Sequence, residues 1–301
     1  MASRLLQSAW GGYGWGRPLK IIFGCALLAG VLAACSNPPY PRGSIDQLFA
    51  HATAPVISQQ VVDGHTLNTA RIDSPLAVAQ GSGKTMLLFV HGSPGDWKAW
   101  SYYLKAPELG YFSSRVAVDR PGFGASGKGM VVADLRQQAR LLAQLIPDGQ
   151  KAVVVGHSLG GPLVTWMAID APDKVCSAIS IAGSLSSRLE APRWYNLLAD
   201  TALLQWAIPP EMVWSNREMM PLSGELRKLE AALPQLRTPL LLIQGDKDSL
   251  VDPQTVEDVA KVAPLRWLKV KRLPDETHFV LWEKPSIILD AIKQMPCALS
   301  P

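Results

Sequence analysis

The stretch KAVVVGHSLGGP, residues 151–162, places a serine between glycines at the end of a β-branched apolar run. A short continuous apolar run bounded by glycine reads as a strand buried on both faces. The following LGGPLVTWMAID, residues 159–170, reads as a helix. Ser158 therefore falls on a sharp turn from strand to helix. Gly156 and Gly160 flank it by two residues on either side, because that turn brings the backbone too close to itself for larger side chains. The turn lifts the hydroxyl clear of the strand end and sets the Leu159 amide at a helix N-terminus, where a developing oxyanion meets an oriented donor. G-x-S-x-G alone is a weak pattern; the strand before it and the helix after it give it weight.

Outward from this turn the chain alternates regularly. TMLLFVHG, SRVAVDR, KAVVVGH, CSAISIAG, PLLLIQG and RWLKVKRL are short apolar runs, each separated from the next by enough residues for a helix. This is the rhythm of a mostly parallel, twisted sheet with helices on both faces, an α/β fold. In VADLRQQARLLAQLI, Val132, Leu135, Ala139, Leu142 and Leu145 or Ile146 share one helical face, with Arg136, Gln137 and Arg140 opposite. VDPQTVEDVAKVA is expected to open with Asp252 as N-cap and Pro253 at the first helical position, and KPSIILDAIKQM supplies the last helix. Asp63-Gly64, between two runs of strand character, predicts a β-hairpin. From 186 to 237 the rhythm breaks in a long connection with helical stretches and Trp194, Trp206 and Trp214, read as an inserted helical cap. It divides the fold into 56–185 and 238–301.

Several segments together resemble the α/β-hydrolase fold family over essentially all of residues 56–296. FVHGSPGDWKAW is similar to that family's oxyanion loop, VDRPGFGASG to its loop after the fourth strand, and VVVGHSLGG to its nucleophile elbow. LLLIQGDKDSLVDP is similar to its acid loop and DETHFVLWEKP to its histidine loop. All five stand in the family's order. The resemblance implies a serine hydrolase in which Ser158 attacks a carbonyl.

A serine hydroxyl needs an adjacent base, and that base needs a group that fixes its tautomer. Among the five histidines, His51 lies in a proline-rich stretch and His65 in the hairpin, both read as surface residues. His91 supports the oxyanion loop, and the elbow directs His157 away from its neighbour. His278 remains as the base, and the order serine, acid, histidine matches the family. For the acid, Asp246, Asp248 and Asp252 compete; aligning QGDKDSLV with the family loop implies Asp248, leaving Asp252 as a cap and Asp246 in a turn. The resemblance implies the Ser93 backbone amide as second oxyanion donor beside Leu159. Asp119 and Arg120 read as a pair holding a turn.

The chain opens with Arg4, Arg17 and Lys20 before an apolar run from Ile21 to Ala34, the pattern of a secretory signal. At about 14 residues the run is short of the roughly 20 that a spanning helix needs. Leu32-Ala33-Ala34-Cys35 resembles the lipobox of bacterial lipoproteins, which implies cleavage after residue 34, acylation of Cys35 and a membrane anchor. Ser36 and Asn37, with no aspartate after Cys35, favour the periplasmic side of the outer membrane. Residues 35–55 then form the lipidated terminus and a tether. Without the leader, 26 basic residues face 25 acidic ones, so nothing electrostatic points to nucleic acid. KVKR at 269–272 reads as the solvent face of a strand. Cys176 and Cys297 remain, and an oxidising envelope would permit a bridge between them; two separate thiols are the alternative.

GSGKT at 81–85 lacks the first glycine of a phosphate loop and precedes a strand. No metal-ligand spacing is present, and no cofactor is expected. The expectation is a lipid-anchored carboxylesterase with no cofactor, acting on a small ester with an apolar acyl or alkyl group. Trp97, Trp100 and the cap tryptophans would line the pocket. The alternatives on the same residues are a cofactor-free haloperoxidase or perhydrolase, amide or carbon–carbon bond hydrolysis, and an envelope binding protein without catalysis.

Overall fold

A computed structural model describes residues 40–74 and 85–297. The signal, Cys35 and most of GSGKT lie outside the described residues. From Pro41 onward the chain forms one compact unit. Its frame is an eight-stranded sheet in the order β1-β2-β4-β3-β5-β6-β7-β8. The strands are β1 Val56–Val62, β2 His65–Asp73, β3 Thr85–Val90, β4 Ser114–Val118, β5 Lys151–His157, β6 Val175–Ile181, β7 Leu240–Gly245 and β8 Leu268–Leu273. The first two pair antiparallel, β2 pairs antiparallel with β4, and every later pairing is parallel. The expected hairpin forms at Asp63-Gly64, where both residues take the positive φ that a tight two-residue turn requires.

The continuous apolar runs are explained by position. On β3, Met86, Leu88 and Val90 belong to the main core cluster, while on its opposite face Phe89 stacks on Trp100 with ring centroids 4.8 Å apart. The core cluster is shared with α1 (Leu135–Ala143) and α2 (Gly160–Asp170). Asp134 caps α1 by accepting from the Gln137 amide at 2.8 Å, so that helix begins three residues later than its apolar period suggests. The edge strands β1 and β8 are largely exposed, and Lys269 and Lys271 face water on β8. Charged side chains on an edge discourage pairing with another chain.

Between β6 and β7 lie helices Trp194–Ala199, Ala202–Gln205, α3 (Pro210–Met219) and α4 (Leu222–Ala232). The region is helical as expected, but α4 is not a cap element: Leu222, Leu226 and Leu229 are buried in the main core cluster. Their i, i+4, i+7 spacing puts them on one face of the helix. The proline-rich stretch is also not wholly free. Ser44 and Gln47 form a reciprocal capping box around a single turn, Ile45–Leu48, and Phe49 is buried against Trp97. α5 (Thr255–Val262) starts later than expected, with Asp252 accepting from the Gln254 amide at 2.9 Å in the preceding turn; α6 (Pro285–Lys293) is the last described helix. No helix among the described residues is long and apolar enough to cross a membrane.

Cys176 on β6 and Cys297 beyond α6 are joined in a disulfide, with Cα atoms 6.2 Å apart. The bridge fastens the last described turn to the sheet across 121 residues of sequence. Reduction is expected to remove about 2–4 kcal/mol, lowering the melting temperature by roughly 5–10 °C. Calorimetry with and without dithiothreitol, with Cys176→Ser as the reference, checks this.

Candidate active site

Ser158 sits between β5 and α2 with φ 53°, a left-handed conformation that costs a residue other than glycine about 1–2 kcal/mol. Its amide donates to the Ile181 carbonyl at the end of β6 (2.9 Å), and its carbonyl accepts from Gly161 (2.8 Å). A Cβ at Gly156 would collide with the Gly160 carbonyl, and one at Gly160 with the Val90 carbonyl of β3. Both glycines are thus required by close approach. The loop after β3 passes directly over the serine: a Cβ on Gly92 would lie 2.8 Å from Ser158 Cβ. No hydrogen bond from the Ser93 or Leu159 amide is formed among the described residues.

The loops after β7 and β8 bring Asp248 and His278 together. His278 Nδ1–H donates to Asp248 Oδ2 at 2.9 Å, and both side chains are buried. Gln244 Nε2 donates to the same oxygen at 3.0 Å, while Oδ1 accepts from the Leu250 and Val251 amides, each at 2.9 Å. Burial pushes the Asp248 carboxyl upward, but the hydrogen bond and charge of His278 and the two amides outweigh it, so the group stays below the usual range. A carboxylate on Nδ1–H leaves Nε2 as the lone-pair nitrogen of the neutral ring. The histidine loop is tied to the elbow through His157, whose Nε2–H donates to the His278 carbonyl at 2.9 Å. Burial and the neighbouring His278 push the His157 pKa down to about 3, so it is neutral and positions the loop.

Asp246 instead meets Arg272, whose Nε donates at 2.6 Å. Asp248 is thus the one of the three aspartates that contacts His278. Among the described residues no cluster of three ligating side chains could hold a metal.

A family model described as "Alpha/beta hydrolase family" matches residues 87–291. The chain belongs to the α/β-hydrolase family. It is 31% identical, over half of its length, to the dihydrolipoyllysine-residue acetyltransferase component of the acetoin cleaving system of Cupriavidus necator, and the match spans 37% of that relative. Over 62% of its length it is 28% identical to a pimeloyl-[acyl-carrier protein] methyl ester esterase of Vibrio vulnificus, of which it covers 84%. A solved membrane phospholipase A, 20% identical, superposes with a TM-score of 0.58 over 91% of this chain and 96% of that one. At that identity the superposition speaks for the fold.

This α/β-hydrolase carries a buried network that the sequence did not announce. Arg120 and Asp119 do not pair with each other. Arg120 Nη1 and Nη2 meet Glu218 Oε1 and Oε2 at 2.6 and 2.9 Å, with both side chains inaccessible. Glu218 lies on α3, in the insertion, and its Oε2 also accepts from Ser93 Oγ at 2.8 Å. Arg120 Nη2 reaches the Gly92 carbonyl (3.0 Å), and Gln138 of α1 bridges Arg120 and Glu218. His91 completes the network: its Nδ1–H donates to the Gly92 carbonyl and its Nε2 accepts the Arg120 amide. Burial, then Arg120, holds His91 well below the usual histidine range, so it remains neutral. Asp119 serves the turn alone, accepting from the Trp97 and Ala125 amides and Asn68 Nδ2. The spacing of Arg120 and Glu218, 98 residues apart, left no pattern to read.

The tryptophans differ in setting: Trp97 and Trp100 are buried, Trp100 stacked on Phe89, while Trp194 and Trp206 are 61% and 78% exposed. Glu190, unmarked by any sequence pattern, lies close enough to the Asp248–His278 pair to feel both charges. Burial raises its carboxyl to about 7 against the opposing effects of Ser184, Arg193 and His278.

Two predictions follow the charges. Glu218→Gln leaves the Arg120 guanidinium buried without a counter-charge and is expected to cost about 3–5 kcal/mol, measured by urea unfolding; Arg120→Met combined with Glu218→Leu should recover most of it. For Glu190, the folded state binds the proton more tightly than the unfolded chain, so stability falls as pH rises from the ordinary glutamate range through about 7. Glu190→Gln should therefore be more stable than the parent at pH 8 and equal to it at pH 4, as read by thermal unfolding.

Proposed function

We propose that this chain is a serine hydrolase that cleaves carboxylic esters through an acyl-enzyme on Ser158. The observation that carries the reading is the Asp248–His278 hydrogen bond, which leaves the imidazole Nε2 as a base while His157 ties its loop to the serine turn. In the first half-reaction Ser158 Oγ attacks the ester carbonyl and its proton passes to His278 Nε2. The tetrahedral oxyanion is met by the Ser93 and Leu159 amides. Collapse breaks the bond to the alkoxy group, which leaves as alcohol with the proton from His278. Water then attacks the acyl-enzyme by the same proton route, releasing the acid and the free hydroxyl. Asp248 stays ionised and stabilises the imidazolium in both halves. Support for an ester substrate comes from the esterase relative, and the haloperoxidase, amide and binding readings have no observation of their own.

The same proposal places the protein at a membrane. Leu32-Ala33-Ala34-Cys35 follows a basic and then apolar leader, and acylation of Cys35 by several chains would give a stable anchor. The outer membrane, periplasmic side, is the destination its flanking residues favour.

A fluorophosphonate should label the folded protein stoichiometrically at Ser158, and Ser158→Ala should lose ester turnover by at least about 10³-fold with folding unchanged. Mass spectrometry of the labelled peptide and a panel of chromogenic esters of varied acyl length read both outcomes. A folded protein that takes no label would overturn the assignment.

A further inference from the structure

Helix Trp194–Ala199 is built inside out. Asn196 faces the protein, its Nδ2 donating to Asn216 Oδ1 of α3 (2.9 Å) and its carbonyl accepting from Asn216 Nδ2 (3.0 Å). Trp194, Leu197 and Leu198 point outward, between 41% and 61% exposed, and no residue of the helix is buried. Trp206, just beyond the next helical turn, is the most exposed large apolar residue of the described chain. From residue 192 to residue 210 the only charged side chains are Arg193 and Asp200. Scattered apolar residues are ordinary on a surface, but a clustered run of this kind marks an interaction face.

We propose that this face is a docking site for a lipid surface, holding the side of the molecule that carries the Asp248 loop against a bilayer. Three observations select lipid as the occupant. The patch combines indole and phenol rings with leucines and few charges, a composition that settles at the boundary between headgroups and acyl chains. Its position is at the site: Arg193 Nη2 donates to the carbonyl of Leu250, two residues beyond Asp248, and Leu250 is itself exposed. The reach of the upstream chain agrees. Thirteen residues lie between Cys35 and Phe49, so the two can be at most about 50 Å apart, and Phe49 packs on Trp97 in the loop leaving the carboxyl end of β3. The insertion likewise leaves the carboxyl end of β6. The inference deepens the ester-hydrolase reading, on which it rests for its purpose, by naming the substrate class as esters that reside in a membrane.

Binding can be read without turnover. Residues 41–301, which form a compact unit with their own core, are floated with large unilamellar vesicles of phosphatidylcholine and phosphatidylglycerol. The comparison is Trp194→Ser/Leu197→Ser/Leu198→Ser/Trp206→Ser, all surface changes, with circular dichroism confirming the fold. The parent unit should float, and the variant should partition at least about tenfold more weakly. A parent that stays in the aqueous fraction, or a variant that floats equally, overturns the proposal. So does a parent that fails to float and elutes as a dimer which the four changes dissolve, because the patch is then a contact between copies. Fluorophosphonate labelling of Ser158 in the same samples tests the hydrolase reading separately, so failure of one is not mistaken for failure of the other.

Discussion

The left-handed backbone at Ser158 is the constraint around which the rest of the molecule is arranged. A serine held at φ 53° persists only where neighbours over-determine it. Here β5 is paired on both sides, with β3 and β6, and α2 is buried along most of its length. The turn between them has nowhere to relax. Its close contacts then dictate the glycines at 156 and 160 and draw the Gly92 loop over the hydroxyl. Position in the sheet and position of the hydroxyl are in this sense the same fact.

Around that turn the electrostatics separate into groups that carry charge and groups prevented from doing so. His91 and His157 are driven neutral by burial and each is committed to hydrogen bonds that shape a loop. Asp248 is kept ionised by donors on both oxygens. Arg120 and Glu218 are fully buried, and the two-pronged contact between them, with Gln138 bridging Arg120 Nη1 and Glu218 Oε1, offsets much of the desolvation while Arg120 Nε keeps no partner. A network of this kind adds little net stability over an apolar pair, but it fixes the loop carrying Gly92 and Ser93 in one place.

What the sequence made legible follows from range. The strands, the elbow and the hairpin are local patterns, and their periodicity and glycine placement read directly. Asp248 and His278 were reachable because each stands in a loop with its own family pattern. By contrast, Glu218 and Glu190 became visible only in three dimensions, since nothing near either in sequence distinguishes it from an ordinary surface glutamate. The same holds for α4: its leucine period was present, but lying within a long insertion it was read as cap when it is core. The tryptophans were no comparable guide, because an aromatic residue reads the same in a core, in a pocket or on an outer face.

Arg120 and Glu218 also divide the insertion mechanically. Its later part, α3 and α4, is pinned to the sheet by an ion pair and by leucines in the core, so it must unfold together with the domain beneath it. The earlier part, around Trp194 and Trp206, is held through contacts such as the Asn196–Asn216 amide pair and the Arg193 bond to Leu250. The earlier stretch is thus tied by fewer buried groups than the later one, so local opening of the insertion should begin there.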